Sequence, residues 1–406
     1  MRSSWVGRTR VLGAVLTVIA LGIAACGGGG SNKTTTGSSG AYAGKTIKLG
    51  AVFSLTGGGG VYGPQQKQAI ELAEALINSK GGVNGAQLSV QIVDDASDKQ
   101  QSAQQTQTLI QQGQVVALLG PTLSNSAVAA HPIADSLKTP MLAVSTTGLK
   151  IVGNCPYPCT YIFRDSLGES DAIPTNIKTY ADTAHPKTGV LLYPTDDKFS
   201  VDGGTAVKQA APANGIRLLD TIEFSKTDAD LTPFATKAVN DHPDVIFITS
   251  LGGIPAKIMS GARQLGFTGQ FLGGNGFNTA AVAKQAGAAG KGAQSASAWY
   301  IGNTFPSNAG FVTAYRSRFG ADPDQFAAQA YTGVLILADA AKRAKLTFGN
   351  LATDRSRLRD AMEKTNIQTP LGPFQFTPTH DVHQTIWVVA MEGQGGFTLV
   401  TSVKPT

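Results

Sequence analysis

Short runs of consecutive apolar residues recur along this chain, each followed by a glycine or hydroxyl-bearing turn and then by helical spacing. Residues 115–119 form one such run, the pattern of a strand buried on both faces of a parallel sheet. Gly120-Pro121 breaks it. Ser124-Asn125-Ser126 then offer N-caps for a helix carrying Val128, Ala129 and Ile133. Residues 141–144 form the next strand, with Ser145-Thr146-Thr147 at its carboxyl end. In an open α/β sheet, ligands bind outside the carboxyl ends of the strands, where helix N-termini point. Free backbone N–H groups there, with the Ser124 and Thr147 hydroxyls, suit a carboxylate or another hydrogen-bond acceptor.

The same alternation runs on both sides of this stretch. Residues 45–55 alternate through Ile47, Leu49 and Ala51 as a first strand, and a glycine-rich loop over 57–63 follows. A helix over 64–79 places Ala69, Ile70, Ala73, Leu76 and Ile77 on one face, with Glu71 and Glu74 opposite. A strand over 88–93 closes on Asp94-Asp95, and a polar helix over 103–112 completes the unit. From Asp165 the pattern restarts, with strands over 188–193, 217–224, 245–249 and 270–272 and helices between them. That repetition predicts a second doubly wound lobe whose strand-end loops form the opposite wall of a cleft. Residues 295–301 read as an extended return toward the first lobe, followed by helices over 311–319 and 326–344. Residues 371–376 read as a strand or crossing segment, and 384–391 as a late hairpin strand.

The first forty residues belong to neither lobe. A basic start is followed by an apolar stretch over 11–23, too short for a comfortable membrane span. Ile23-Ala24-Ala25-Cys26 then resembles a bacterial lipobox, in which the Cys26 thiol carries the lipid. Residues 1–25 therefore read as a lipoprotein signal peptide, and 26–44, rich in Gly, Ser and Thr, as a flexible tether.

Charge and chemistry narrow the picture further. The formal net charge of +6 falls to +3 once the leader's three arginines are discounted, and no basic block points to nucleic acid. Gly58-Gly59-Gly60-Val61-Tyr62-Gly63 matches a dinucleotide fingerprint, but the next acidic pair lies farther along than the usual ~20 residues. The loop reads instead as the mouth of a cleft, and no cofactor is expected. Cys155 and Cys159 bracket Pro156-Tyr157-Pro158, which favours a local disulfide in an exported protein. Three of the five histidines precede proline, and His380-Asp381-Val382-His383 falls in a turn. Neither a nucleophile–base set nor a metal-ligand spacing is present, so no catalytic or metal residue is assigned.

Taken in order, these features resemble the type I periplasmic binding proteins of branched-chain amino-acid ABC importers, the leucine/isoleucine/valine-binding family. The resemblance covers about residue 45 to the end. It rests on 47–63, on 78–85, on Asp94-Asp95 with Ser97-Asp98, on Gly120-Pro121 with Ser124, on Phe163-Arg164, and on Leu371-Gly372-Pro373-Phe374. It implies two Rossmann-like α/β lobes joined by three crossing segments, with residues 45–165 plus 302–370 in one lobe and 166–301 plus 371–406 in the other.

The family grips a ligand carboxylate with first-lobe hydroxyls and amides, matching Ser124 and Ser145-Thr146-Thr147 here, and Tyr62 matches a family tyrosine. The second lobe departs from the pattern. Asn275 stands where amino-acid binders place an acid for the ligand ammonium, Phe199 where a tyrosine is usual, and Gly252-Gly253-Ile254 lacks another tyrosine. An unpaired buried ammonium costs several kcal/mol, so Asp165, Asp196 and Asp197 are the candidates for the missing charge. The expectation is a monomeric, lipid-anchored, extracytoplasmic receptor, not an enzyme. It would bind an amino acid or a related carboxylate or amide and deliver it to an ABC permease and its ATPase by hinge closure. The alternative expectation is a sensor of the same fold signalling through a membrane partner.

Overall fold

Five parallel strands organise the first lobe of the computed structural model, which describes residues 40–404. In chain order they are β1 (Thr46–Phe53), α1 (Gly63–Ser79), β2 (Gln87–Asp94), α2 (Lys99–Gln111), β3 (Ala117–Leu119), α3 (Ser124–Ser136), β4 (Met141–Ala143) and β5 (Ile162–Arg164). The sheet order is β2-β1-β3-β4-β5, so the chain reverses direction across the sheet between β1 and β3. Val52, Phe53 and all of β3 and β4 are buried, as expected for central strands covered by helices on both faces.

The second lobe repeats the plan. It comprises α4 (Glu169–Ala184), β6 (Thr188–Pro194), α5 (Lys198–Ala213), β7 (Arg217–Phe224), α6 (Thr232–Asn240), β8 (Val245–Ile248), α7 (Ile254–Gln264), β9 (Gln270–Gly273), α8 (Ala280–Ala286) and β10 (Gln294–Ser297). Its parallel order β7-β6-β8-β9-β10 copies the first lobe. The chain then returns to the first lobe with α9 (Asn308–Phe319), α10 (Gln325–Arg343), α11 (Leu351–Met362) and the hairpin β11 (Ile367–Thr369) and β12 (Gly372–Phe374). Two antiparallel strands, β13 (Ile386–Met391) and β14 (Phe397–Val403), finish the second sheet on the outside of β10. Both expected lobes and the three crossings are present. Among the described residues, no helix is long and apolar enough to cross a membrane.

The first core is built on α10. Ala327, Ala330, Val334, Leu337 and Ala341 recur at helical spacing and lie in the first core. Gly333 lets that helix approach the sheet: a Cβ there would lie 2.8 Å from the Leu119 and Val144 side chains. Arg164 is fastened at its other end by Asp381, with its Nε donating to Oδ1 at 2.8 Å and its second nitrogen to Oδ2. His380 stacks on Phe163, with ring centroids 4.0 Å apart, and contacts Glu363 through Nε2. The turn over residues 380–383 is thus the clasp between the last segment and β5.

Four sequence expectations change. Tyr42, placed in the tether, packs edge-on against Phe348, donates to Ala341 O and accepts from Leu346 N, so the folded part begins before residue 45. The α3 helix turns its face by about one residue, because Ala127, Ala130 and Ala134 allow close packing on α2, whereas Val128 is 52% exposed. Leu371, Phe374 and Val382 pack in the first core, so we place the last crossing after residue 382 rather than before 371. The helix α11 has no counterpart in the sequence reading, since its inward face mixes Leu358 and Met362 with Arg355. The Arg355 guanidinium caps the carbonyls of Ile110 and Val115. Cys155 and Cys159 are bonded in the loop after β4. The lipobox with Cys26 and most of the tether lie outside the described residues.

Candidate functional site

The order β2-β1-β3 forces the loops after β1 and β3 to leave in opposite directions, opening a crevice at their carboxyl ends. Tyr62 and Ser124 come from those two loops, and Thr147 from the loop after β4. In the second lobe the matching crevice lies between β6 and β8, and Phe199, Ser250 and Asn275 come from the loops around it. The two crevices face each other. Tyr62, Phe199 and Phe326 are all buried, yet none belongs to the apolar core of either lobe. Tyr62 is covered by the Gly252 and Gly276 segments of the opposite lobe.

Hydrogen bonds across the interface show the lobes closed on each other. The Tyr62 hydroxyl donates to Gly276 O at 3.0 Å and accepts from Gly252 N at 2.9 Å, while its ring lies 4.6 Å from Phe326. Burial pushes this phenol's pKa upward, so it stays a neutral donor. Asn125 accepts from Lys198 N and donates to Asp197, and Leu149 N donates to Asp202. Asp202 is also paired with Lys198 at 2.7 Å. The Gly252 loop, noted for its missing tyrosine, thus receives the hydroxyl of Tyr62 from the facing lobe.

At the centre of this interface is a residue the sequence reading passed over. Glu169, the first residue of α4, is fully buried; its Oε1 accepts from the Thr147 hydroxyl at 3.1 Å and from Asn275 N at 3.0 Å. Its Oε2 has no protein partner. Gly274 leaves it room, since a Cβ at that position would come 2.4 Å from Oε2. Burial raises the Glu169 pKa from 4.5 to about 7, against the opposing pull of the Asn275 N–H, the Thr147 hydroxyl and the Arg164 charge. A buried carboxylate thus stands at 169 rather than at 275, and the Asn275 backbone helps to hold it.

The other expected residues divide clearly. Ser124 sits at the start of α3, its Oγ accepting from Gly148 N at 3.3 Å. The Ser145 hydroxyl is already committed, donating to Thr122 O and accepting from Gln66 Nε2. The Thr146 hydroxyl is buried without a partner, as is that of Ser250, which the sequence reading did not single out. The Asn275 side chain accepts from Gln325 at the start of α10. Of the three proposed acids, Asp196 holds the Ser225-Lys226 turn and Asp197 caps α5 through Ser200. Asp165 is fully buried with neither carboxylate oxygen partnered, and burial raises its pKa. None of the three shares a hydrogen bond with Thr147 or Asn275.

Comparison with known proteins agrees with this fold. The model of the family described as "Periplasmic binding protein" matches residues 46–396. The leucine-, isoleucine-, valine-, threonine- and alanine-binding protein of Pseudomonas aeruginosa is 24% identical over 342 residues, covering 83% of this chain and 87% of that one. A branched-chain amino-acid transporter substrate-binding protein of Streptococcus pneumoniae, solved with isoleucine, is 26% identical with a TM-score of 0.80, covering 89% of this chain and all of that one. A solute-binding protein of an ABC transporter from R. palustris, solved with benzoate, shares the fold at 20% identity and a TM-score of 0.79, covering 89% and 97% of the two chains.

Proposed function

The chain belongs to the periplasmic binding protein family, and from that premise we propose that it is the solute receptor of an ABC importer for a small amino acid. It is an extracytoplasmic ligand-binding protein and not an enzyme. The observation that carries the ligand class is Glu169. A ligand carboxylate would be held by the Ser124 hydroxyl and the N–H groups at the start of α3, and by the Thr147 hydroxyl once it turns from Glu169 Oε1 to the ligand. Its ammonium would meet the unpartnered Oε2 of Glu169 from the opposite lobe. A zwitterion thus complements both lobes at once. The isoleucine and benzoate of the two solved relatives share the carboxylate, which accords with the first-lobe half of this assignment.

Contacts to both lobes stabilise the closed state, and the permease receives that state. The receptor acts as a monomer, with Tyr62, Phe199 and Asn275 closing the cleft around the ligand. A thermal-shift screen tests the ligand class, using L-amino acids beside the matching deaminated acids, amides and benzoates. The reading expects the largest upward shift from an α-amino acid. Shifts confined to compounds without a carboxylate, or no shift from any class, contradict it.

We assign the membrane tether to a lipid on Cys26, supported by the apolar run and small residues before it. Cys26→Ser is expected to move the protein from the membrane fraction to the soluble fraction. Continued palmitate labelling of this variant would refute the anchor.

A further inference from the structure

A second pocket opens beside the closed cleft, of about 760 Å³ and shared by both lobes and the middle crossing segment. Ser124, Thr147 and Glu169 do not line it. Its apolar wall is made by Trp299, Tyr300 and Phe397, with Ala281 on the second-lobe side. Two polar atoms in its lining are unsatisfied. Asp324, the N-cap of α10, accepts from Ala327 N through Oδ1, while Oδ2 is buried without a partner. Gln65, on the first turn of α1, has a buried Oε1 that is likewise unpartnered. Both are acceptors, and one belongs to a carboxylate.

Among the described residues no cation is paired with Asp324. The pocket's lysine, Lys284, lays its alkyl chain along Gly395. The Arg316 guanidinium is taken by Asp322. A buried carboxylate with a free oxygen, an amide acceptor and an aromatic wall is complementary to a donor-only cation on an apolar arm. We propose that this pocket is a second ligand site, distinct from the amino-acid cleft, that takes a small organic cation bearing an ammonium group on an aromatic or aliphatic arm. Because its walls come from both lobes, an occupant there touches the interface that opens and closes, and so couples to the hinge.

The test uses phenethylamine as the probe and 2-phenylethanol, which replaces the ammonium by a hydroxyl, as its control, followed by calorimetry. The wild-type protein is expected to bind the amine saturably, and the alcohol roughly tenfold or more weakly. Asp324→Asn keeps a helix-capping side chain but removes the charge, and should abolish the preference for the amine. Ala281→Phe narrows the pocket while leaving the Asp324 carboxylate in the chain and should weaken binding of both compounds. Glu169→Gln, which removes the main cleft's ammonium partner, should still bind the amine saturably. The proposal is overturned if the wild-type protein does not bind the amine, or if both pocket variants bind it unchanged. Loss of amine binding in Glu169→Gln overturns it as well, by placing the amine in the main cleft.

Discussion

Tyr62→Phe is expected to weaken ligand binding by roughly thirty- to hundredfold, about 2–3 kcal/mol, while the melting temperature changes little. The hydroxyl is one atom, but it serves two groups of the opposite lobe, Gly252 N and Gly276 O. In the closed state both are buried under the phenol ring, which is 1% exposed. Removing the oxygen leaves a donor and an acceptor without partners, and an unsatisfied buried group costs about 1–3 kcal/mol. In the open state water reaches both groups, so the loss falls on closure rather than on either lobe's fold. Because ligand binding draws on the closed population, the cost appears in the dissociation constant. Phenylalanine retains the stacking on Phe326, which restricts the change to the hydroxyl. Stopped-flow and calorimetric affinities would measure it. Wild-type affinity in this variant would contradict the latch.

The second large effect is on pH dependence and belongs to Glu169. Burial raises its pKa in the folded protein to about 7, so between the ordinary carboxylate value of 4.5 and 7 the folded state holds a proton that the unfolded chain has lost. Stability from this group is complete below that window and declines as pH rises through it, by roughly 3 kcal/mol in total. Glu169→Gln is expected to remove most of that decline, so its melting temperature at about pH 8 moves toward the value at about pH 5. Ligand binding should respond in the opposite sense. Without the negative charge, an α-amino acid loses its ammonium partner and roughly tenfold to several hundredfold in affinity, whereas its deaminated analogue loses far less. Melting curves across this range, with and without ligand, check both halves. Equal losses for the two ligands would remove Glu169 from the ammonium.

What the sequence revealed about this site follows the range of the interactions involved. The first-lobe half is local: strand, turn and helix start lie within 115–147, and the hydroxyl clusters mark the carboxyl ends of strands by themselves. The placement of Ser124 and Thr147 beyond strand ends could therefore be read without knowing the rest of the fold. Glu169 could not. It opens an ordinary amphipathic helix after a crossing segment, and only the packing of two lobes brings it to Thr147 and Asn275. The one available signal was an acid in a helix's first turn, which is common for dipole reasons alone. The face of α3 was misread for a related cause. Its alanines are inward because a neighbouring helix approaches closely, which apolar spacing within one segment does not disclose. Tyr42 likewise looked like tether because its neighbours are glycine and alanine, although its ring and hydroxyl are anchored by residues some three hundred positions away.

The proposed amino-acid cleft is tested most directly by calorimetric titration of the double variant Ser124→Ala, Thr147→Ala with the tightest compound from the screen. The two hydroxyls come from separate loops, Ser124 accepting from Gly148 N and Thr147 donating to Glu169, and neither is part of an apolar core. The account predicts a loss of about 2–5 kcal/mol in binding for the pair, with the unfolding transition otherwise close to wild type. Wild-type affinity in the double variant would contradict it.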